Sequence, residues 1–336
     1  MITLSIGIPS YARPKELIDL LDSLYEQTIS PNEIIICEDM SPQRSIINAI
    51  SNSYVDKFKA KGCALKYIEN DENLGYDRNL RKIISLSNSD YIILIGNDDV
   101  LLPNATEVVL KFIKTNPELN AVSRSILRFD FDVNRPAGIS SLSIDDKIFC
   151  VKDDNGRDVF RLGAFIGGLI FKVDWAKTIA TDKYDGGLYY QIYLMVSAFC
   201  TTGIGYIAKP IVGGRFGNPP LFGNSKIENE VHIPGAYAPK ARAKMWATVI
   251  NIYKDADLKY GFNLLTDVYR DLSGRQYFHI YEMYAGTSKK NHDDIRAELL
   301  AVGVGHGFIP NTLRFINLFF GGYAKIIYKV IRKIYQ

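Results

Sequence analysis

Two adjacent aspartates follow a strand-like apolar run in the first third of the chain. The segment Tyr91–Leu102 reads YIILIGNDDVLL, so the apolar run ends at Gly96 and is followed by Asn97, Asp98 and Asp99. Carboxylate oxygens are preferred ligands of hard divalent cations, which commonly bind phosphate groups as well. In open α/β sheets, ligands bind outside the carboxyl ends of the strands. The pattern therefore predicts a cation site at this strand end.

The composition is that of an ordinary globular protein. The chain has 336 residues, of which 47% are hydrophobic and 23% are charged, and these values argue against wholesale disorder. The net charge of +3 is too small to indicate nucleic acid, so no nucleic-acid partner is expected. The start MITLSIGIPSYARP does not resemble a signal peptide, and no apolar run is long enough to span a bilayer. These features predict a cytoplasmic protein.

Apolar strands and amphipathic helices alternate through the first third of the chain. The predicted strands are Ile2–Pro9, Glu33–Asp39, Cys63–Asn70 and Tyr91–Ile95, and the predicted helices are Pro14–Gln27, Gln43–Lys61, Gly75–Ser87 and Pro103–Thr115. Continuous apolar strands that alternate with helices are typical of a parallel sheet covered on both faces. We therefore predict an α/β fold with a mostly parallel sheet flanked by helices.

The remaining two thirds are less regular. A strand is predicted near residues 121–131 and a helix at Gly186–Phe199, and from Pro234 onward the pattern is helical. We predict a sheet domain at residues 1–232, divided into halves at 1–115 and 116–232. A helical C-terminal region is predicted at 233–310 and a separate terminal helix at 311–336.

The terminal segment Asn311–Gln336 contains basic residues and no acidic ones. Lys325, Lys329 and Arg332 recur at helical spacing among isoleucines and valine. A basic face opposite an apolar face is typical of a helix that lies on an anionic membrane surface. The same pattern also fits a C-terminal helix docked on its own domain, and the sequence leaves both interpretations open.

Four short motifs occur in an order that a known family shares. They are IPSYAR at 8–13, CEDMS at 37–41, NLGYDRN at 73–79 and GNDD at 96–99. Together they resemble the family 2 nucleotide-sugar glycosyltransferases, whose fold is of the Rossmann-like GT-A type. The resemblance is strong over residues 2–115. It continues more weakly at 163–175 and 215–218, where the chain is similar to the branch of abequosyltransferases and other O-antigen sugar transferases.

The resemblance implies an activity and a setting. The activity would be transfer of a sugar, with inversion, from a nucleotide-sugar donor to a glycan acceptor, with a lipid-linked glycan expected. The setting would be bacterial surface polysaccharide synthesis, on the inner face of the cell membrane. In this view residues 1–115 bind the nucleotide and residues 116–232 face the acceptor.

The resemblance also assigns residues to the parts of the donor. Pro9 and Tyr11 would form an apolar floor beside the base, and Arg13 would meet negative charge. Either Glu38 or Asp39 would accept a hydrogen bond from the imide of the base. Both acids have an alternative role as caps of the following helix.

Further donor contacts are expected at Arg78, Asn97 and Arg215. Arg78 lies just inside a predicted helix start, where the helix dipole helps to bind a phosphate. Arg215 belongs to a short motif after the last predicted strand, with a role near the diphosphate or the acceptor. Arg78 would place positive charge near the diphosphate, and Arg215 near either the diphosphate or the acceptor.

The metal and the catalytic base come from carboxylates. Family members commonly carry D-x-D after the fourth strand, and here Gly96 replaces the first aspartate. Asp98 then matches the ligand of Mg²⁺ or Mn²⁺, with Asp99 either as a further ligand or as a partner of the next helix. For the general base that inversion requires, the position in the chain favours Asp185, with Asp182 as the alternative.

Two other functions remain open from the sequence. A sugar nucleotidyltransferase shares this kind of fold but would need a glycine-rich basic loop after the first strand, which PSYARPKE lacks. The replacement at Gly96 is also compatible with a catalytically degenerate transferase that acts as a membrane-bound assembly partner.

Overall fold

One mixed sheet runs through the protein. The computed structural model describes residues 2–153, 156–235, 238–272 and 277–335. Within these ranges the strands are β1 Leu4–Ser10, β2 Glu33–Glu38, β3 Ala64–Glu69, β4 Tyr91–Leu94, β5 Val100–Leu101, β6 Ala121–Phe129, β7 Gly138–Ser140, β8 Lys147–Phe149, β9 Leu169–Lys172 and β10 Ile204–Arg215. The strand order is β3-β2-β1-β4-β9-β6-β10-β5, with β7 beside β6 and β8 beside β10.

The strand directions place several strand ends at one edge. The ladders among β3, β2, β1 and β4 are parallel, as is the ladder between β6 and β10. The strand β9 is antiparallel to both of its neighbours, β4 and β6. The carboxyl ends of β1, β2 and β4 therefore meet at the same edge of the sheet, where a parallel α/β sheet binds its ligands.

Helices cover both faces of the sheet. They are α1 Pro14–Tyr25, α2 Arg44–Ala60, α3 Tyr76–Leu86, α4 Ala105–Thr115, α5 Gly156–Gly163, α6 Val173–Thr178, α7 Tyr190–Phe199, α8 Pro239–Tyr260, α9 Leu264–Asp271, α10 Tyr277–Tyr284, α11 Lys289–Ala301, α12 Phe308–Phe320 and α13 Ala324–Tyr335. In β2, Ile34 and Ile36 belong to the core beneath α1, α2 and α4, whereas Ile35 and Cys37 belong to the core beneath α3, α7 and α8. Strand side chains alternate between faces, and both faces here are apolar because both are buried.

The predicted elements of the first third are present, with one addition. The helix predicted from Pro103 begins at Ala105, and β5 precedes it at Val100–Leu101. This short strand pairs with Val212 and Gly213 of β10, more than a hundred residues later in the chain. A pairing of that kind depends on tertiary structure, so the local pattern could not reveal it.

The C-terminal helices pack on the same core as the sheet. Trp246 and Tyr253 of α8 are buried in the cluster that also contains α7 and the sheet. The predicted boundary at 232–233 falls between β10 and α8, and that at 310–311 falls inside α12. The division into domains stays a prediction.

The terminal helices are docked through one face and exposed on the other. Asn317 of α12 donates to the carbonyl oxygen of Tyr281 at 2.8 Å, and Tyr328 of α13 is fully buried. Phe319 and Tyr323 are 72% and 75% exposed. The side chains of residues 331–335, including the predicted basic residues Arg332 and Lys333, lie outside the described part of the chain. No helix among the described residues is both long and apolar enough to cross a membrane.

Candidate functional site

A cleft of about 400 Å³ opens at the carboxyl ends of β1, β2 and β4. We call the residues that follow these strands its strand side, and those of α7, α8 and the loop before α7 its helix side. The strand side consists of Pro9, Ser10, Tyr11, Arg13, Asp39, Gly96, Asn97, Asp98 and Asp99. The helix side consists of Leu188, Tyr189, Gln191, Arg242 and Met245. The remaining walls come from the segments 164–166 and 218–224, in which Gly223 is not a lining residue, and from Asn73, Gly75, Tyr76, Asn79, Arg215 and Glu228.

Asp98 faces the cleft and is held by two donors. Its Oδ2 accepts hydrogen bonds from Nη1 of Arg13 and, at 2.9 Å, from Nδ2 of Asn218. Arg13 also donates through Nη2 to the carbonyl oxygen of Pro219 at 2.6 Å. The guanidinium therefore links the end of β1 to the carboxylate after β4 and to the 218–224 wall. This arrangement places one positive and one negative charge side by side at the strand side.

The turn that carries Arg13 is unusual in its backbone. Ala12 and Arg13 have φ values of 57° and 63°, in the left-handed region that L-residues rarely adopt. Nδ2 of Asn97 donates to the carbonyl oxygen of Ala12 at 2.8 Å and so supports this turn. Such strain is often found at functional sites, where the surrounding structure holds it in place.

Asp99 is buried beside Asp98. Its Oδ1 accepts from the backbone N–H of Arg215 at 3.0 Å, while Nε of Arg215 donates to the carbonyl oxygen of Asp98 at 2.9 Å. Burial raises the pKa of Asp99 well above its usual range, and the charge of Asp98 raises it further. The two aspartates are therefore unequal, because Asp98 is the more accessible and Asp99 the more costly to ionise.

Asp39, rather than Glu38, lines the cleft at the end of β2. Its carboxylate accepts from Nδ2 of Asn70 at 2.7 Å and from the backbone N–H groups of Leu74 and Gly75 at 2.8 and 2.9 Å. Burial raises the pKa of Asp39 to about 6, although these hydrogen bonds oppose the shift. The carboxylate is thus partly protonated just below neutral pH.

Comparison with known proteins identifies the family. The family model described as "Glycosyl transferase family 2" matches residues 5–168, which contain all four strand-end motifs. Residues 5–168, just under half of the chain, therefore carry a glycosyltransferase family 2 domain. The resemblance that the motifs indicated is therefore confirmed, and the cleft is the candidate active site of a glycosyltransferase domain.

Two relatives of this family 2 chain have named activities. Abequosyltransferase RfbV of Salmonella typhimurium is 27% identical over 224 residues, which are 62% of this chain and 65% of that protein. The UDP-Gal:alpha-D-GlcNAc-diphosphoundecaprenol beta-1,3-galactosyltransferase of Escherichia coli is 26% identical over 119 residues, 35% of this chain and 41% of that protein. The aligned part thus spans just under two thirds of the first relative and about two fifths of the second.

A solved structure has the same fold. Residues 1–349 of S. aureus TarS, in complex with UDP-GlcNAc, share 14% identity with a TM-score of 0.63. The match covers 97% of this chain and 88% of that chain. The predicted α/β fold of the GT-A type, with a helical C-terminal region, is confirmed.

The family 2 site has a limited set of metal ligands. Family 2 enzymes generally use divalent cations. Among the described residues, no group of three or more His, Cys, Asp and Glu side chains could hold a metal. Both of the hydrogen bonds to the Asp98 side chain reach Oδ2. One oxygen of one carboxylate fits a cation that takes its other ligands from a diphosphate and water, as Mg²⁺ commonly does.

Eight of the twelve predicted site residues meet in the cleft. They are Pro9, Tyr11, Arg13, Asp39, Asn97, Asp98, Asp99 and Arg215. Glu38 is fully buried, where it accepts from Ser10 Oγ and the backbone N–H of Ser41 at 2.7 and 2.9 Å. Arg78 is half-buried in the first turn of α3 and is not among the lining residues. The ligand contacts of all twelve stay predictions.

The two predicted bases also lie outside the cleft lining. Asp185 forms a two-bond ion pair with Arg81, at 2.6 Å between Oδ1 and Nη1 and 2.8 Å between Oδ2 and Nη2. Asp182 is exposed. Arg81 was not among the sequence candidates, because its partner lies about a hundred residues away and no local pattern marks the pair.

Two further acids shape the cleft without having been predicted. Glu228 is buried and accepts from the backbone N–H of Tyr76 at 2.7 Å and of Gly223 at 2.9 Å, which ties the 218–224 wall to the start of α3. Asp77 accepts from the backbone N–H groups of Leu188 and Tyr190, each at 2.9 Å. Burial raises the pKa of Asp77 to about 7. Both acids act through backbone groups that are remote in sequence.

Proposed function

We propose that the protein transfers a sugar from a nucleotide-sugar donor to a glycan, as a step in the synthesis of a bacterial surface polysaccharide of the O-antigen kind. The observation that carries the proposal is the meeting of Asp39, Arg13 and Asp98 at three neighbouring strand ends of one cleft. The base of a nucleotide sugar needs a hydrogen-bond partner such as Asp39. Its diphosphate needs positive charge, from Arg13 and from a cation held by Asp98. The named activities of the two relatives support a polysaccharide context.

The base of the donor would lie against Asp39. An ionised carboxylate accepts a hydrogen bond from the imide N–H of uracil or thymine. Pro9 and Tyr11 of the strand side would form the apolar floor beneath the ring. Glu38 would support them from below through its bond to Ser10.

The diphosphate would lie beside the ion pair of Arg13 and Asp98. The guanidinium of Arg13 has donors in a planar fork, which suits phosphate oxygens. Asp98 would hold Mg²⁺ or Mn²⁺, and that cation would neutralise charge that develops on the leaving diphosphate. Arg215 would position Asp98 and Asp99, because it already binds the backbone of one and the side chain of the other.

Inverting transfer would need a base for the acceptor hydroxyl. The candidates for this base are Asp185 and Asp182, which the sequence predicted. Since Asp185 is bound through both oxygens to Arg81, its removal has to be compared with the removal of Arg81.

The acceptor would be a lipid-linked glycan at the inner face of the cell membrane. The outer surface of α12, the following turn and α13 exposes Phe315, Phe319 and Tyr323, with Lys325 and Lys329 close by. Aromatic and basic side chains together suit the interface of an anionic bilayer. The buried face of these helices would hold them against the domain, and the exposed face would bind the membrane. The two interpretations of the segment are therefore compatible.

Membrane binding is tested by flotation with anionic vesicles of phosphatidylglycerol. The triple variant Phe315→Ser, Phe319→Ser and Tyr323→Ser should lose binding, since each substitution removes exposed apolar area. Leu258→Ser removes a side chain that is 77% exposed on α8 and should leave flotation unchanged. Equal flotation of the triple variant and the wild type would contradict the proposal.

The donor is tested by a thermal-shift screen of UDP-, dTDP-, GDP- and CDP-sugars and of free nucleoside triphosphates, each with and without Mn²⁺. A ligand that binds only the folded state stabilises it by about 2.7 kcal/mol at a hundred times its Kd. Stabilisation by one nucleotide class, increased by Mn²⁺, is expected. Stabilisation only by free nucleoside triphosphates would favour a nucleotidyltransferase. No shift with any nucleotide would favour a degenerate assembly partner.

A further inference from the structure

The helix side of the cleft contains a buried amide without a partner. Gln191, in the first turn of α7, lines the cleft and is 2% exposed. Its side-chain oxygen Oε1 has no hydrogen-bond partner among the described residues. A buried acceptor without a donor destabilises the fold unless a ligand supplies the donor. The position of Gln191 in the cleft therefore points to a ligand group with an O–H or N–H.

The loop before α7 is held in a strained conformation. Leu188 has a φ of 62°, which is rare for a residue with a bulky side chain. Gly187 leaves no free space for a side chain, because a Cβ atom there would lie 2.3 Å from Oγ1 of Thr248 and would force a shift. The carboxylate of Asp77 binds the backbone N–H groups on both sides of Tyr189. Several interactions thus fix the placement of Leu188, Tyr189 and Gln191 in the cleft.

The surroundings of Gln191 are mainly apolar. Leu188, Tyr189 and Met245 line the helix side with it, Arg242 adds one guanidinium there, and the 164–166 wall carries Phe165. A sugar ring matches such a pocket, because its C–H groups pack on aromatic and aliphatic side chains while its hydroxyl groups donate hydrogen bonds.

The same wall adjoins the predicted diphosphate site. A Cβ atom on Gly167, at the end of the wall, would lie 2.4 Å from Oδ2 of Asp99. At its other end, a Cβ atom on Gly163 would lie 2.9 Å from Cγ of Met195 and 3.0 Å from Cδ1 of Ile192, both in α7. The segment 163–167 therefore runs from Asp98 and Asp99 to α7. A sugar attached to a diphosphate at Asp98 would lie in the same cleft as Gln191.

We propose that Gln191 accepts a hydrogen bond from a hydroxyl group of the sugar that is transferred, and so selects among donors that share one nucleotide. Asp77 is a positioning residue for this contact, since it holds the loop and touches no sugar. The inference rests on the proposed function and adds to it a residue that recognises the sugar rather than the nucleotide.

The test compares two ligands on one variant. Gln191→Met keeps the length of the side chain and removes the acceptor oxygen. Calorimetry measures the Kd of the nucleotide sugar that the thermal-shift screen selects and of its free nucleoside diphosphate. We expect the nucleotide sugar to bind about five- to tenfold more weakly to the variant, the change for one hydrogen bond, and the diphosphate to bind as it does to the wild type.

A second variant and a second ligand guard against a folding defect. Gln191→Glu retains acceptor oxygens and should restore part of the preference for the nucleotide sugar over the diphosphate. A donor that lacks the recognised hydroxyl should bind the wild type and Gln191→Met equally. Equal losses of affinity for the nucleotide sugar and for the nucleoside diphosphate, or no loss for either, would overturn the inference about Gln191. Nucleotide binding by the wild type would still uphold the proposed function. Failure of the wild type to bind any nucleotide would overturn both.

Discussion

The two sides of the cleft differ in how their polar groups are satisfied. On the strand side, Asp39, Asp98 and Asp99 each accept hydrogen bonds from protein donors. On the helix side, the oxygen of Gln191 has no donor among the described residues. The strand side is therefore organised around charge, which all nucleotide diphosphates share. The helix side combines apolar side chains with one neutral acceptor and the guanidinium of Arg242, which suits a group that differs between donors.

The largest effect is expected from breaking the strand side at Asp98. Asp98→Asn removes the carboxylate that would hold the cation, and metal stabilisation of a leaving group contributes several kcal/mol, so transfer should fall by about a hundredfold or more. The loss is measured as kcat/KM with the selected donor, together with the gain in donor affinity that Mn²⁺ provides.

The control for Asp98 is an aspartate on the far helix α2. Asp56→Asn changes an exposed carboxylate outside the cleft lining and should keep both the activity and the Mn²⁺ effect. An Asp98→Asn variant that retains the full Mn²⁺ effect would show that the cation is held elsewhere.

The next prediction concerns Asp185, which is either a general base or a structural support for the helix side of the cleft. Asp185→Asn and Arg81→Gln each leave a partly buried group without its partner, and each should lower the free energy of unfolding by about 1–3 kcal/mol. We expect the two variants to lose similar stability and similar activity, with an unchanged pH profile.

A different pattern would identify Asp185 as the base. Removal of a general base costs about 10²–10⁴-fold in rate, and only Asp185→Asn would then show that loss. The pH–rate profile of Asp185→Asn would also lose its acidic limb, whereas that of Arg81→Gln would keep it. Asp182→Asn, measured in parallel, tests the other sequence candidate.

The sequence predicted the strand side better than the helix side for a physical reason. Asp39 and Asp98 directly follow apolar runs, so their place at a sheet edge follows from local pattern and the geometry of parallel strands. Gln191 lies in a helix of which nearly every residue is buried, and the loop before it is held by Asp77 and lies against Thr248, both of which are remote in sequence. Tertiary packing of this kind leaves no periodic signal.

A smaller effect is expected from overfilling the helix side at Gly187. Gly187→Ala forces its Cβ against Thr248, and overpacking of this kind typically costs about 1–3 kcal/mol of stability. The double variant with Thr248→Ala should recover part of the loss. Chemical denaturation measures both, with Gly322→Ala as the control, because a Cβ atom there meets no other atom within 4 Å. Equal stability of Gly187→Ala and the wild type would show that the loop before α7 is free to move.

The smallest expected effect is a pH dependence of donor affinity that arises on the strand side. Because the pKa of Asp39 is about 6, the carboxylate is ionised above pH 7 and mostly protonated at pH 5. A protonated carboxyl no longer offers both oxygens to the imide, so donor affinity should be constant above pH 7 and fall by about tenfold by pH 5. Calorimetry with a nucleotide sugar is suitable, since its diphosphate diester does not titrate in this range.

The matched variant assigns the pH effect to Asp39. Asp39→Asn should bind the donor more weakly at pH 7.5 and should lose the dependence between pH 5 and 7, because its amide does not titrate. A pH dependence that is the same in Asp39→Asn and in the wild type would remove Asp39 from the base site and leave the strand side defined by Arg13 and Asp98.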